Sequence, residues 1–429
     1  MHKFYITNNL GGGGTNVSRF VDYKQLFNLP HIGILLNYYY LTGHAVPAFD
    51  VPILRSIPNY SNIGDFLNGA KQAFAQKRNV SSSFTQVVGP TPINGYMLDN
   101  GCGNLLRDLL QQGLYNKDSI HKLVTPFLDF AESLHFDFSI ALDYAMKYTY
   151  KDSERKDVMM KRLWEELAGN EKINLSLIED TLITMASGNY THAVYAPLHG
   201  FDFKSFEAYL GSVLDAEESV EASFGGFALG GIADPKKLPD SIWQIPEGIN
   251  RDTKSGYITS KLCKMIRKHT ERPIHVLGAG NIYALPFLIR AGANSSDCHS
   301  AWRRASDGGY EKAKVLIPLL NDNLEFINDR NVLQYVKIKD IDDSYTFDFG
   351  YSIADLKRLY RSRDAEDFYF AEILAYYEAI KQYDLLIRYT ETYPDYIERL
   401  KNSPDAQLNQ NYHILDDCLS QDSESLFAE

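Results

Sequence analysis

Short apolar runs ending in polar or glycine-rich residues recur along this chain, and stretches with helical spacing lie between them. The runs are ILLN (Ile34 to Asn37), GYMLDNG (Gly95 to Gly101), FDFSIALD (Phe136 to Asp143), HAVYAPLHG (His192 to Gly200), FGGFALGGI (Phe224 to Ile232), IHVLGAG (Ile274 to Gly280) and ANSSDC (Ala293 to Cys298). KVLIP (Lys314 to Pro318) is a weaker eighth. Brief apolar runs bounded by turn residues read as buried strands. The intervening stretches NLLRDLLQQGLY, SIHKLVTPFLDFAESL and FKSFEAYLGSVL repeat their apolar positions with the helical period. Strands alternating with helices imply a parallel sheet. With about eight such units, and the polar residues gathered at the C-terminal ends of the strands, the pattern fits a (β/α)8 TIM barrel better than an open doubly wound sheet. Asp99, Asp143, His199, Gly230, Gly231 and Asp297 then converge on one mouth from different strands.

The same patterning divides the chain. Residues 1–32 read as an N-terminal extension and 33–320 as the barrel. Residues 152–188 form a helical insertion of two helices, RKDVMMKRLWEELAG and INLSLIEDTLITMASG. Residues 321–402 read as a mainly helical C-terminal extension rich in Tyr and Phe. Ser403 to Glu429 holds six carboxylates and no Lys or Arg, so it reads as a mobile acidic tail.

Composition narrows the class. At 429 residues and 45% hydrophobic, with 29 Tyr and 23 Phe, the chain has ample material for a core, which excludes wholesale disorder. No window has the roughly 18 uninterrupted apolar residues of a membrane span, and the start lacks a signal-peptide core, so a cytoplasmic protein with no membrane partner is expected. Cys102, Cys263, Cys298 and Cys418 form no Cys-x-x-Cys pair, so they read as reduced thiols, with no thiolate zinc site and no cofactor. A net charge of -12 opposes nucleic-acid binding by bulk attraction and leaves only local basic stretches for it, such as Lys261 to Arg272, Trp302 to Arg304 and Leu356 to Arg363.

One stretch admits two chemistries. GAGNIYALPFLIRAGANSSDC sets a Gly-x-Gly turn after an apolar run and nineteen residues ahead of Asp297, the arrangement in which a dinucleotide site places its ribose-binding acid. Tyr283 occupies the third glycine position of that fingerprint, and Asp297 follows small polar residues instead of a full buried strand.

A set of ordered motifs favours a different chemistry. GAG, a helix and Gly292 to Cys298 resemble the GVG, helix and GIDMFDC with which tRNA-guanine transglycosylases present a nucleophilic aspartate. FALGGIA (Phe227 to Ala233) is similar to their YAIGGLA, IALDY (Ile140 to Tyr144) to their LDE strand, and MLDNGCGN (Met97 to Asn104) to LTDSGGYQ. ILLNYYYL (Ile34 to Leu41) resembles ILGNTYHL, and APLHG (Ala196 to Gly200) stands where they have IVQGG. The likeness runs in order from about Ile34 to Asp307. Two departures are chemical: Asn321 to Asp364 contains no Cys or His where the tRNA enzymes hold zinc, and Gly103 and His199 replace a stacking aromatic and a pocket glutamine. The chain therefore looks most like the DNA branch, the DpdA-type DNA-guanine transglycosylases that place 7-deazaguanines in bacterial or phage DNA.

The resemblance implies roles. Replacing a base without cutting the strand takes two displacements at C1′, with one carboxylate as nucleophile and another group handling the proton. Asp297 is the expected nucleophile and Asp99 the expected acid/base. Asp143 would accept from the guanine edge, and His199 would donate to its O6. Gly231 N–H would meet the purine carbonyl beside Gly230, Ile232 C=O would face the 7-substituent, and Asn37 would orient the nucleophile. Arg303 and Arg304 would contact backbone phosphates, and Trp302 would fill the stack vacated by a flipped base. The expected partners are DNA, a 7-deazaguanine such as preQ0, and a protein that opens the duplex. A tRNA-acting enzyme is the alternative, and a noncatalytic nucleic-acid-binding subunit on the same barrel is a third reading.

Overall fold

The computed structural model describes residues 1–7, 29–38, 95–101, 120–144, 146, 148–232, 237, 239–249, 253–306, 308–327, 335–347, 351–402 and 406–420. The expected helix at 104–115, together with Cys102 and Gly103, lies outside them.

Eight parallel strands close into a barrel in chain order: β1 (Lys3–Thr7), β2 (Ile32–Asn37), β3 (Tyr96–Asp99), β4 (Phe138–Ile140), β5 (Ala193–Leu198), β6 (Gly226–Leu229), β7 (Ile274–Val276) and β8 (Ser295–Asp297). The seam is β1 against β8, with Phe4 opposite Ser296 and Tyr5 opposite Asp297. This corrects two expectations. Lys3–Thr7 is a barrel strand and no part of an extension, and KVLIP supplies β9 (Lys314–Leu316), which pairs antiparallel with β10 (Tyr335–Lys337) outside the barrel.

The crossover helices are α1 (Val124–Ser133), α2 (Lys156–Ser187), α3 (Phe203–Val220), α4 (Asp240–Trp243), α5 (Lys254–Arg267) and α6 (Leu285–Arg290), followed by α7 (Ser300–Ser306) and α8 (Gly309–Lys312). Instead of two inserted helices, 156–187 is one helix that fills the β4 to β5 crossover and packs on α1 and α3. Gly169 reads as a break in sequence, yet the space where its Cβ would stand is open and the helix runs through it, at a propensity cost of about 1 kcal/mol.

Alternation along the strands sorts residues between two cores. One side of the sheet packs on the helices. The other fills the barrel with Tyr5, Leu35, Met97, Phe138, Ile140, Tyr195 and Ala228. Two residues farther along the first three strands come Thr7, Asn37 and Asp99, so the period of two stacks polar groups above an apolar plug.

The C-terminal region continues as α9 (Ile353–Arg361), α10 (Ala365–Thr392), α11 (Tyr396–Lys401) and α12 (Ala406–Ser420). Helix α10 lies against the barrel seam: Tyr383 stacks on Phe4 with ring centroids 4.1 Å apart, and Asp384 accepts the His31 N–H at 2.9 Å. Gln382 accepts the N–H groups of Leu319 and Leu320 and donates to Leu320 C=O.

The reading of 403–429 as a mobile tail fails over α12. Tyr412, Leu415 and Leu419 are buried there, and buried Asp416 pairs with buried Lys401 and with Arg290 at the surface. Removing one member of such a group strands the others without compensation. Asp416→Ala is expected to lower stability by about 3 kcal/mol or more, read as a shift in the urea midpoint.

Candidate active site

Every barrel strand delivers a group to the same mouth, at its C-terminal end or just beyond. In strand order these are Thr7, Asn37, Asp99, Asp143, His199, Gly230 with Gly231, Gly278, and Asp297. Barrel active sites are assembled at this face.

Asp297 ends β8 and is 5% exposed. Its Oδ1 accepts the Gly278 N–H at 2.9 Å and faces His275 Nε2 at 3.2 Å, while its Oδ2 accepts the Thr7 hydroxyl at 3.2 Å. The Gly-x-Gly turn thus serves the aspartate directly. Gly278 adopts φ +68°, which aims its N–H at the carboxylate, and Gly280 donates its N–H to Asp297 C=O at 3.0 Å. A Cβ on Gly280 would stand 2.7 Å from Ser296, so only glycine permits this approach. An amide committed in this way is not offered to a pyrophosphate, and the closed barrel replaces the dinucleotide unit.

Asp99 ends β3 opposite Asn37 in register, and Asn37 Nδ2 donates to its Oδ2 at 2.7 Å. Asn37 therefore orients Asp99 and not Asp297, which corrects the expected pairing. Burial, reinforced by the negative charges of Asp297 and Asp143, raises Asp99 to a pKa of about 7 against the opposing donors of Gly101 and Asn37.

Asp143 is 8% exposed and accepts from Asn100 Nδ2 at 2.9 Å. His199 Nε2 lies 2.8 Å from its other oxygen, in an alignment too poor for a linear hydrogen bond, so the contact is electrostatic. Two helices hold this corner. Buried Asn174 on α2 accepts the N–H of Tyr144 at 2.6 Å and donates to its C=O at 3.1 Å. At the start of α3, Asp202 and Ser205 form a capping box just after His199, which fixes the loop. Gly231 is exposed at φ +79° with open space over it, Gly230 is half-buried, and the Ile232 side chain is buried.

On the other flank of Asp297 a cavity of about 390 Å³ is lined by Thr7, Gly278, Asn281, Ser300, Arg303 and Arg304, among others. Arg303 is exposed, and the Arg304 guanidinium lies 4.5 Å from the centre of the Tyr335 ring. Both arginines line this cavity together with Asp297. Trp302 does not: it packs edge-on against Tyr376 and Tyr369 of α10, away from any stacking role. Cys298, next to Asp297, is buried, and that burial pushes its thiol up, which disfavours a rival thiolate nucleophile.

Sequence reading missed Thr7, Asn100, His275 and Ser295. Thr7 was hidden because its strand was read as an extension. His275 carried a signal, since a lone polar residue two places before Leu277 in an apolar run must point into the barrel.

Among the described residues no group of three or more His, Cys, Asp or Glu is arranged to hold a metal ion. No helix there is long and apolar enough to cross a membrane. A scan against protein-family models and a search of curated proteins found no match for this chain.

Proposed function

We propose that the chain is a DNA-guanine transglycosylase that exchanges guanine for a 7-deazaguanine such as preQ0 through a covalent aspartyl-nucleoside intermediate. The observation that carries this reading is the unequal treatment of the two oxygens of Asp297. Oδ1 is held by a backbone and an imidazole donor, whereas among the described residues Oδ2 accepts only from the Thr7 hydroxyl and faces the cavity. A second carboxyl, Asp99, stands near neutrality in its proton affinity in the same mouth.

In the first displacement Asp297 Oδ2 attacks C1′ and the C1′–N9 bond breaks. The bonding pair leaves with the guanine, which takes the proton of Asp99. In the second, Asp99 as carboxylate removes the N9 proton of the incoming base, N9 attacks C1′, and the ester C–O bond returns its pair to Asp297. Two inversions give retention. Asp143 receives the N–H groups of the purine edge, with Asn100 holding it in place, and His199, whose Nε2 makes no hydrogen bond among the described residues, donates to O6. Gly230, Gly231 and the carbonyl of Ile232 border the base, and Arg303 and Arg304 meet the flanking phosphates. Because a paired base cannot reach a barrel mouth, the target nucleotide is flipped or already unpaired.

The test offers labelled guanine or preQ0 to the purified protein with either DNA or bulk tRNA. Label entering DNA is expected. Entry into tRNA alone would overturn the choice of polynucleotide, and entry into neither would overturn the activity.

A further inference from the structure

We propose that His275, through its Nε2–H bond to Asp297, is a positioning residue that makes the aspartate a better leaving group, so that the covalent intermediate breaks down instead of accumulating. This rests on the transglycosylase reading of the same site.

The geometry leaves one role for the imidazole. His275 is completely buried, with Nδ1 2.9 Å from Ser295 Oγ and Nε2 3.2 Å from Asp297 Oδ1. Its ring is walled by Tyr5 and Phe138, at centroid distances of 5.9 and 5.5 Å. A carboxylate only accepts hydrogen bonds, so Nε2 must carry the proton. In the neutral ring Nδ1 then accepts from the Ser295 hydroxyl, and that contact selects the tautomer. The chain Ser295 to His275 to Asp297 therefore ends on Oδ1, the oxygen that does not attack.

The donor acts differently on the two states of Asp297. As a free carboxylate, Oδ1 shares the negative charge and the hydrogen bond is charge-assisted. As the ester, Oδ1 is a neutral carbonyl oxygen and the same bond is about half as strong. His275 thus stabilises the carboxylate over the ester, which speeds departure of Asp297 in the second displacement. The Gly278 N–H acts in the same sense but is fixed by the backbone, so the side chain supplies the adjustable part.

The experiment incubates full-length protein with a labelled oligodeoxynucleotide containing unpaired guanine. It measures the protein–DNA adduct that survives denaturant, and then its decay on a chase with preQ0. His275→Met removes the donor and keeps the bulk, whereas His275→Gln returns an N–H at a similar reach. His275→Met is expected to raise the adduct fraction and slow the chase, each about tenfold, with His275→Gln close to wild type. Ser295→Ala, which frees the tautomer, should shift both in the same direction by less, and it serves if the Met variant does not fold. An unchanged partition in the Met or Ala variant, or Gln behaving like Met, overturns the proposal. If neither wild type nor the Met variant forms an adduct and no labelled base enters the oligonucleotide, the transglycosylase reading fails and this inference falls with it.

Discussion

Asp297→Asn is expected to lower base exchange by roughly a thousandfold or more, the scale seen when a catalytic nucleophile is removed, while the melting temperature stays nearly unchanged. The asparagine can keep Oδ1 as acceptor for Gly278 N–H and His275 Nε2, and its Nδ2 can donate to the Thr7 oxygen, which turns from donor to acceptor. Asp297→Ala would abolish exchange as well, but it leaves all three donors without their acceptor, and the buried one, His275, costs about 1–3 kcal/mol when unmet. The pair of variants separates chemistry from folding. Label incorporation and a thermal melt of each suffice. An asparagine variant that still exchanges label would remove Asp297 from the mechanism.

Asp99→Asn is expected to cut exchange by about a hundredfold to ten-thousandfold, the usual range for a general acid/base, and at the same time to stabilise the protein above neutral pH. The native carboxyl titrates at about 7, well above its ordinary value of 3.8. Between those two values the folded chain holds a proton that the unfolded chain has lost, so stability falls as pH rises through this window. Below it both states are protonated and Asp99 is neutral in its effect. At about 1.4 kcal/mol per pKa unit the penalty approaches 4 kcal/mol above neutrality, and less where the mouth admits water. Asparagine carries no charge and can still accept from Asn37. Melts at pH 3 and pH 8 should therefore coincide with wild type at the first and exceed it at the second. A variant equally stable at both would show that Asp99 is not destabilised by burial and its carboxylate neighbours. For wild type, the acid form that the proposed first displacement requires is lost above about pH 7, so kcat/KM for the polynucleotide is expected to decline there.

Much of this was legible in the sequence, for a physical reason. Strands β2 to β8 fall on the seven apolar runs because a barrel strand is buried on both faces and ends where the chain reaches water. The polar residues closing those runs, Asn37, Asp99, Asp143, His199, Gly230 and Asp297, are the ones that meet at the mouth. The failures share a cause. Lys3–Thr7 and Lys314–Leu316 are both short and start on a lysine, and nothing local says which of them closes a barrel and which pairs antiparallel. Asp416 looked like one charge in an acidic tail because its partners, Arg290 and Lys401, stand far off in sequence. Asn37 was assigned to the wrong aspartate because register, and not sequence distance, chose Asp99. His275 acquires its role only when β7 and β8 lie side by side.

The seam between β1 and β8 sets the order of events during synthesis. Thr7 leaves the ribosome 290 residues before Asp297, and β1 has β2 as a neighbour long before β8 exists. Asp297 meets Thr7 only when β8 lies against β1. The activity proposed above therefore draws on a contact that only the closed ring supplies.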